Sequence, residues 1–357
     1  MNILYISPEF NYSCGVSKHV FINLKKLSTD PGYKLFFITN KGDSLDRLED
    51  ITGLNYSILK FEKDHKNIFR MISDFFKLYS FCKQNKIDII HTHHRYPELL
   101  SVLVSKFTGV KTITTVHSFV KGLKNLSFRS DKIVTVSKAV EEHLHKYYPH
   151  SKGHCKTIYN CIDESFSEPK EIDIHEIKKS FGYNDTDKII LFAGRISRIK
   201  GVETLISAFV KINQQNENVK LILLGKVEDM SILEVIKGSE RQISIVQPIE
   251  NISAFYQISD MVVLPSRIDP FPYVMLESGA MRKPFIGSNT GGIAEFIEDG
   301  ISGLLIEPGN FNQLADKIIY IINNPIQAEL LANALYQKVK QECDCVKYFE
   351  QLDNIYK

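Results

Sequence analysis

Two carboxylates, Asp269 and Glu277, bracket the stretch DPFPYVMLE, with two prolines and an apolar run between them. The stretch follows a strand-like DMVVLPS and opens a helical segment that Lys283-Pro284 must stop. Pro272 suits the first helical position. The amides of Tyr273 and Val274 then point out of the helix start, where N–H groups and the positive end of the dipole can hold phosphate. Asp269 falls just outside that end and Glu277 about one turn inside. Ionised carboxylates accept hydrogen bonds from hydroxyls, so sugar rings are natural partners. The spacing allows a phosphate with a polyhydroxylated group on either side. It also fits a plain loop and helix, each with an exposed acid.

A cationic loop adds to the first interpretation. After the strand-like KIILFAG comes RISRIKG, which places Arg195, Arg198 and Lys200 in one short connection before a helix. A solvated basic loop is the bland alternative. At the carboxyl end of a strand, however, Arg offers phosphate oxygens a planar fork and Lys a point charge.

Two other runs invite a metal. His91-Thr-His93-His94 has three imidazoles, but alternate strand residues face opposite ways, so His91 and His93 share a face and His94 does not. A lining near an acceptor, or packing, suits them better. Asp185-Thr-Asp187 precedes a strand and reads as a turn. No metal is expected.

These residues need elements to position them. MNILYIS, YKLFFIT, IDIIHTH, KTITTVH and KIVTVS are short runs rich in β-branched residues; GVSKHVFINLKKL, PELLSVLVSKF and AVEEHLHKYY between them have helical spacing. Continuous apolar strands alternating with helices predict a parallel sheet covered on both faces. The pattern restarts near Lys188 with KIILFAGR, GVETLISAFVKI and KLILLG, and continues through ISIVQP, NISAFYQIS, DMVVLPS, PFIGS and FNQLADKIIYIINN. The fold class is therefore α/β, with two doubly wound Rossmann-like domains facing a cleft where the strands' carboxyl ends meet. The charged interval Asp163–Asp187 holds the boundary, giving domains 1–165 and 166–345. The final CVKYFEQLDNIYK is amphipathic, with Val346, Phe349, Leu352 and Tyr356 near one face; helix 346–357 either crosses back to the first domain or caps the second.

Bulk properties narrow the class. The chain has 357 residues, 43% hydrophobic and 24% charged, the profile of a soluble globular protein of about two domains. MNILYISPEF lacks the basic flank and long apolar core of a signal peptide, and the six cysteines show no CxxC spacing, so reduced thiols in the cytoplasm are expected. The net charge of +2 conceals an asymmetry. Residues 1–165 carry 24 Lys+Arg against 16 Asp+Glu, and ten of the eleven histidines. A basic half suits an anionic membrane surface or a phosphorylated acceptor; no nucleic-acid motif accompanies it. The stretch KNIFRMISDFFKLYSFCKQNK is either a sheet-covering helix or an interfacial one, and KGLKNLSFRS is a second basic contact. The chain has no Trp, the strongest interfacial anchor.

Taken in order, CGVSKHV, DIIHTHH, TTVHSF, IVTVSKAV, IYNCID, AGRISRIKGVETLISAF and PSRIDPFPYVMLESGAMRKPFIGSNTGGIAEFIEDGISGLLIEPGN resemble a retaining nucleotide-sugar glycosyltransferase of family 4, with the GT-B fold. The resemblance covers nearly the whole chain, and the ordered set is specific although each piece alone is weak. It implies transfer of a sugar from a UDP-, GDP- or ADP-sugar to an acceptor hydroxyl with retained configuration, without a cofactor, in synthesis of a surface glycan. The acceptor would be a glycan or lipid-linked, and the enzyme cytoplasmic or peripheral at the inner membrane face.

By resemblance Arg195 and Lys200 hold the diphosphate, the amides of Tyr273 and Val274 hold the phosphates, Glu277 bonds the ribose, and Asp269 sits at the donor sugar. Gly15 matches the glycine-rich first loop and His117 a histidine beside the donor sugar. The resemblance also favours a C-terminal helix that returns to the first domain. Asp269 stands where the family usually has Glu, one methylene longer. Cys14-Gly15 replaces a glycine pair, Gly225-Lys226 lacks a second glycine, and Cys161 occupies a usual Gly. Two rival functions are a non-catalytic sugar-nucleotide-binding relative and a two-domain dinucleotide enzyme. The first loop, SPEFNYSCGVSKH, lacks GxGxxG, which counts against the latter.

Overall fold

The structure, a computed structural model, describes residues 1–59, 68–162, 164–167, 171–214, 216–237, 241–249 and 251–357. Asp163 and residues 168–170 of the expected boundary interval, and Lys66 and Asn67 of the amphipathic stretch, lie outside them. The chain divides into two compact units, Met1–Tyr159 with Glu350–Lys357, and Asn160–Phe349.

The first unit runs β1 (Asn2–Ile6), α1 (Gly15–Leu27), β2 (Lys34–Thr39), β3 (Asn55–Ile58), α2 (Ile68–Gln84), β4 (Ile89–Thr92), α3 (Arg95–Thr108), β5 (Lys111–Val116), β6 (Lys132–Thr135), α4 (Lys138–Tyr147) and β7 (Cys155–Thr157). The sheet order is β3-β2-β1-β4-β5-β6-β7, and its ladders are parallel. The chain winds one way from β1 to β3 and the other way from β4 to β7. The order reverses between β1 and β4, the position where open α/β sheets bind ligands at the strands' carboxyl ends. All four residues of β4 are buried, as a strand covered on both faces requires. Leu4, Ile6, Phe36 and Ile38 meet Leu78 and Cys82 of α2 and Leu100 and Val104 of α3 in one apolar cluster. The sheet-covering role of α2 is therefore real.

Tyr5, between Leu4 and Ile6, points to the opposite face. There its hydroxyl shares a short hydrogen bond with Tyr356, near the end of α14 (Cys345–Tyr356). The Tyr356 hydroxyl is also 2.8 Å from His91 Nδ1. Lys111 Nζ donates to the carbonyls of Ile355 and Tyr356 at 2.7 and 3.1 Å, satisfying acceptors at a helix C-terminus. The buried face of α14 differs from the expected one. Val346 is 62% exposed and Phe349 half-buried, while Tyr348, Leu352, Ile355 and Tyr356 are buried. The pairing of Tyr356 with Tyr5 and His91 sets the rotation of the last turns.

The second unit runs α5 (Glu164–Ser167), α6 (Ile174–Ser180), β8 (Lys188–Ala193), α7 (Val202–Asn213), β9 (Val219–Leu224), α8 (Ser231–Val235), β10 (Ile243–Val246), α9 (Ser253–Ile258), β11 (Met261–Leu264), α10 (Tyr273–Ala280), β12 (Phe285–Ser288), α11 (Gly291–Phe296), β13 (Leu304–Ile306), α12 (Phe311–Asn323) and α13 (Pro325–Glu342), then the start of α14. Its sheet order is β10-β9-β8-β11-β12-β13, again parallel throughout. The reversal falls between β8 and β11, so the loops after these two strands converge. Asp185 and Asp187 lie in a turn, where Asp187 Oδ2 accepts from the Asn184 amide at 2.8 Å and Asp185 faces His175 at 2.9 Å.

Candidate active site

The second unit's site is built from the loops that follow β8 and β11. Gly201 closes the β8 loop at φ +72, and a Cβ there would stand 1.9 Å from the Pro265 carbonyl oxygen. Only glycine lets the two loops touch. Gly292, in the first turn of α11 after β12, also allows a close approach: a Cβ would lie 2.0 Å from the Pro270 carbonyl oxygen. Its amide donates to the Asp269 carbonyl at 3.0 Å. Three strand-to-helix connections thus clamp residues 265–272.

Within that clamp Lys200 Nζ lies 2.6 Å from Asp269 Oδ2. Ser266 Oγ donates to the same oxygen at 3.1 Å. The Asp269 side chain is 4% exposed and that of Lys200 is 19% exposed, so the pair is largely removed from water. The sequence gives these two residues separate duties; the structure makes them one ion pair. Arg195 reaches Glu228 instead, 3.3 Å away and half in solvent. Arg198 pairs with Asp229 at 2.9 Å. Such exposed pairs are weak and exchange readily for a better anion.

Pro272 is the N-cap of α10, in extended conformation (φ −75, ψ 135), one residue earlier than its expected first helical position. The correction leaves the chemistry in place. Tyr273 and Val274 become the first two helical residues, whose N–H groups belong to the orphan set that the helix's own carbonyls do not serve. The helix ends at Ala280, and Arg282 at φ 51 turns the chain before Pro284. Glu277 is 1% exposed and accepts a short hydrogen bond from the Tyr256 hydroxyl of α9. Burial, then the neighbouring carboxylate, pushes the Tyr256 phenol well above its ordinary range, so it stays a donor. Asp269, Lys200, Tyr273, Val274 and Glu277 are thereby gathered around the start of one helix. Ser266 and Tyr256 escaped the sequence analysis. Tyr256 lies 21 positions before Glu277, and only the fold brings them together.

The first unit has its own cluster at the β1/β4 reversal. Gly15 is exposed and opens α1, and its neighbour Cys14 is the N-cap with no side-chain cap bond. One turn along, His19 is buried. His93 follows β4 and His117 follows β5. His93 Nδ1 and His117 Nε2 are 3.1 Å apart, and nitrogens of His19, His93 and His117 lie within 4.8 Å of one another. His91 stacks on His93 at 4.7 Å and Tyr5 on His93 at 5.6 Å. Burial first, and neighbouring imidazoles second, hold His93 and His117 well below the usual imidazole value. Burial also drives His91 down to about 3. These rings are neutral at physiological pH. The grouping differs from the one weighed along the chain. His91, His93 and His94 share no metal geometry, whereas His19, four positions after Gly15, completes a three-imidazole set with His93 and His117. Among the described residues this is the grouping that could hold a metal ion.

Both units have counterparts among known proteins. Residues 14–166 match the model named Glycosyltransferase Family 4, and residues 173–340 match Glycosyl transferases group 1. The chain is a glycosyltransferase of the family 4 kind. It is 26% identical to the N-acetyl-alpha-D-glucosaminyl L-malate synthase of Bacillus anthracis, over 96% of this chain and 94% of that one. Among solved structures it matches a glycosyltransferase from Rickettsia africae with TM-score 0.86 at 22% identity, covering 99% of this chain and 97% of that one. It also matches Anabaena HepE in complex with UDP-glucose, with TM-score 0.86 at 18% identity and 99% of both chains covered. Both structural matches confirm the GT-B fold for this glycosyltransferase.

Proposed function

We propose that this glycosyltransferase takes its sugar from a UDP-, GDP- or ADP-sugar and transfers it to an acceptor hydroxyl with retained configuration and without a metal. The observation that carries this reading is the buried Lys200–Asp269 pair at the start of α10, with buried Glu277 one turn inside. An anion at that helix start meets the Tyr273 and Val274 amides and the positive end of the dipole. Lys200 then turns its charge to the diphosphate, and Arg195 leaves Glu228 to join it. The two cations, drawn beside the leaving oxygen, stabilise the charge that grows as the glycosidic bond breaks. They supply what a metal ion supplies elsewhere. Glu277, aligned by Tyr256, accepts from ribose hydroxyls, and Asp269 accepts from the donor sugar. In the first unit we assign Gly15 and neutral His117 to ligand contact. The complex of HepE with UDP-glucose supports the donor class.

The acceptor we assign is a surface glycan, free or lipid-linked, glycosylated on the cytoplasmic side. The excess of Lys and Arg in residues 1–165 supports an anionic acceptor or surface. Retention is tested by proton NMR of the product formed from the preferred donor. The anomeric coupling should match that of the donor sugar; an inverted coupling overturns the mechanism.

A further inference from the structure

The expected sheet-covering role of α2 accounts for only part of its apolar surface. Leu78 and Cys82 are buried, with Met71, Phe75, Tyr79 and Phe81 packed against the core beside them. A second set remains outside: Ile68 is 56% exposed, Phe69 81%, Ile72 46% and Phe76 59%. At 100° per residue these four fall within about a third of the helix circumference. Phe107, at the end of α3, is 68% exposed and extends the patch through Phe75, whose ring lies 5.7 Å from Phe107 and 5.4 Å from Phe76.

Charge decides what such a face can meet. Arg70, Lys77, Lys83 and Lys106 are exposed on the same two helices. The carboxylates of α2 and α3 are Asp74 and Glu98, 1% and 0% exposed. Asp74 is held by Tyr96 and Lys77, and Glu98 by the amides of Phe128, Arg129 and Ser130. The exposed side chains of the two helices are thus apolar, cationic or neutral polar (Ser73, Ser80 and Gln84), with no carboxylate among them. A two-fold contact with a second copy would set these cations against themselves. An anionic bilayer satisfies both features at once.

We propose that the exposed face of α2, with Phe107, docks the protein on an anionic lipid surface. Ile68, Phe69 and Ile72 enter the acyl boundary while Lys83 and Lys106 face the headgroups. Topology gives this contact a use. Because α2 leads into parallel β4, its first turn lies at the carboxyl edge of the sheet, the edge that carries Gly15, His93 and His117. A substrate anchored in the membrane would meet the ligand edge of the first unit. Membrane docking needs nothing from the donor chemistry of the second unit.

The test is co-flotation of the full chain with vesicles. Vesicles of phosphatidylcholine alone are compared with an equimolar mixture of phosphatidylcholine and phosphatidylglycerol, at low and high salt. The protein should float with the anionic vesicles, lose most binding at high salt, and ignore the neutral ones. Joint replacement Phe69→Ser, Ile72→Ser, Phe76→Ser should weaken binding by at least about tenfold, and so should Lys83→Glu with Lys106→Glu. Thermal unfolding and donor hydrolysis should stay near wild type in both, because these side chains are exposed and remote from the donor site. Equal flotation of either variant overturns the proposal. So does a wild-type chain that ignores anionic vesicles, or one whose serine variant merely turns a dimer into a monomer.

Discussion

Lys200 Nζ and Asp269 Oδ2 lie 2.6 Å apart, beside the close backbone approaches that Gly201 and Gly292 allow. The residues come from different strand-to-helix connections, 69 positions apart. A buried pair of this kind depends on both partners, because removing one strands the other's charge away from water.

Lys200→Ala should therefore do two things. It should lower transfer by at least about a hundredfold, and destabilise the second unit by roughly 3 kcal/mol, because Asp269 keeps Ser266 but loses its cation. Lys200→Ala with Asp269→Asn should recover most of the stability and none of the activity. Denaturant unfolding and steady-state kinetics on the same samples check this. Full activity in the double variant removes the pair from the site.

Glu277 is predicted to act in donor binding. Glu277→Gln should raise the donor KM by about tenfold or more, with a smaller change in kcat. Tyr256→Phe removes the hydrogen bond that aligns Glu277 and should move KM in the same direction by a smaller factor. An unchanged KM in both variants contradicts the ribose assignment.

Gly201→Ala tests the clamp. The new methyl would enter the Pro265 carbonyl at a backbone φ of +72. The conformation alone costs ~1–3 kcal/mol, and relief of the clash must shift Lys200 from its place. The melting temperature should fall and the donor KM should rise together. A silent substitution shows that the two loops do not need their contact.

The buried histidines of the first unit make it sensitive to acid. His91, His93 and His117 have pKa values below the ordinary imidazole value of about 6.5. The unfolded chain therefore binds protons that the native state refuses. The part of the stability that rests on these neutral histidines is fully present above about pH 6.5 and falls as pH drops toward 3, the His91 value. The folding constant should lose up to about tenfold per pH unit for each such histidine. Denaturant titrations across this window read the slope, and His91→Gln should make it shallower. A slope that His91→Gln leaves unchanged places the acid sensitivity elsewhere.

The pattern of elements was legible because it rests on strong local signals. Apolar runs between helical spacings gave both parallel sheets, and GVSKHVFINLKKL matches α1 residue for residue. The candidate residues of the second unit were legible as a group because they follow two strands that become neighbours at a reversal of strand order. The partners were not. Tyr256 and Ser266 have no motif, and the Lys200–Asp269 pairing is a property of two loops meeting. His19 had a faint signal, one turn after Gly15 on an otherwise buried helix face. Its company with His93 and His117 needed the order β1-β4-β5. The α14 register was missed because tyrosine hydroxyl bonding, which hydrophobic spacing ignores, sets its last turns. The short edge strand β3 has only half-buried or exposed residues, so it offered no apolar run to find.

On the proposed function, the second unit binds and activates a nucleoside diphosphate sugar through its own cations. Binding and hydrolysis of UDP-, GDP- and ADP-sugars, measured in excess EDTA, test it most directly. One donor should bind and turn over with undiminished rate when EDTA is present. Loss of turnover in EDTA, restored by a divalent ion, would contradict the cation mechanism and turn attention to His19, His93 and His117. Binding of none of the three donors would contradict the claim as a whole.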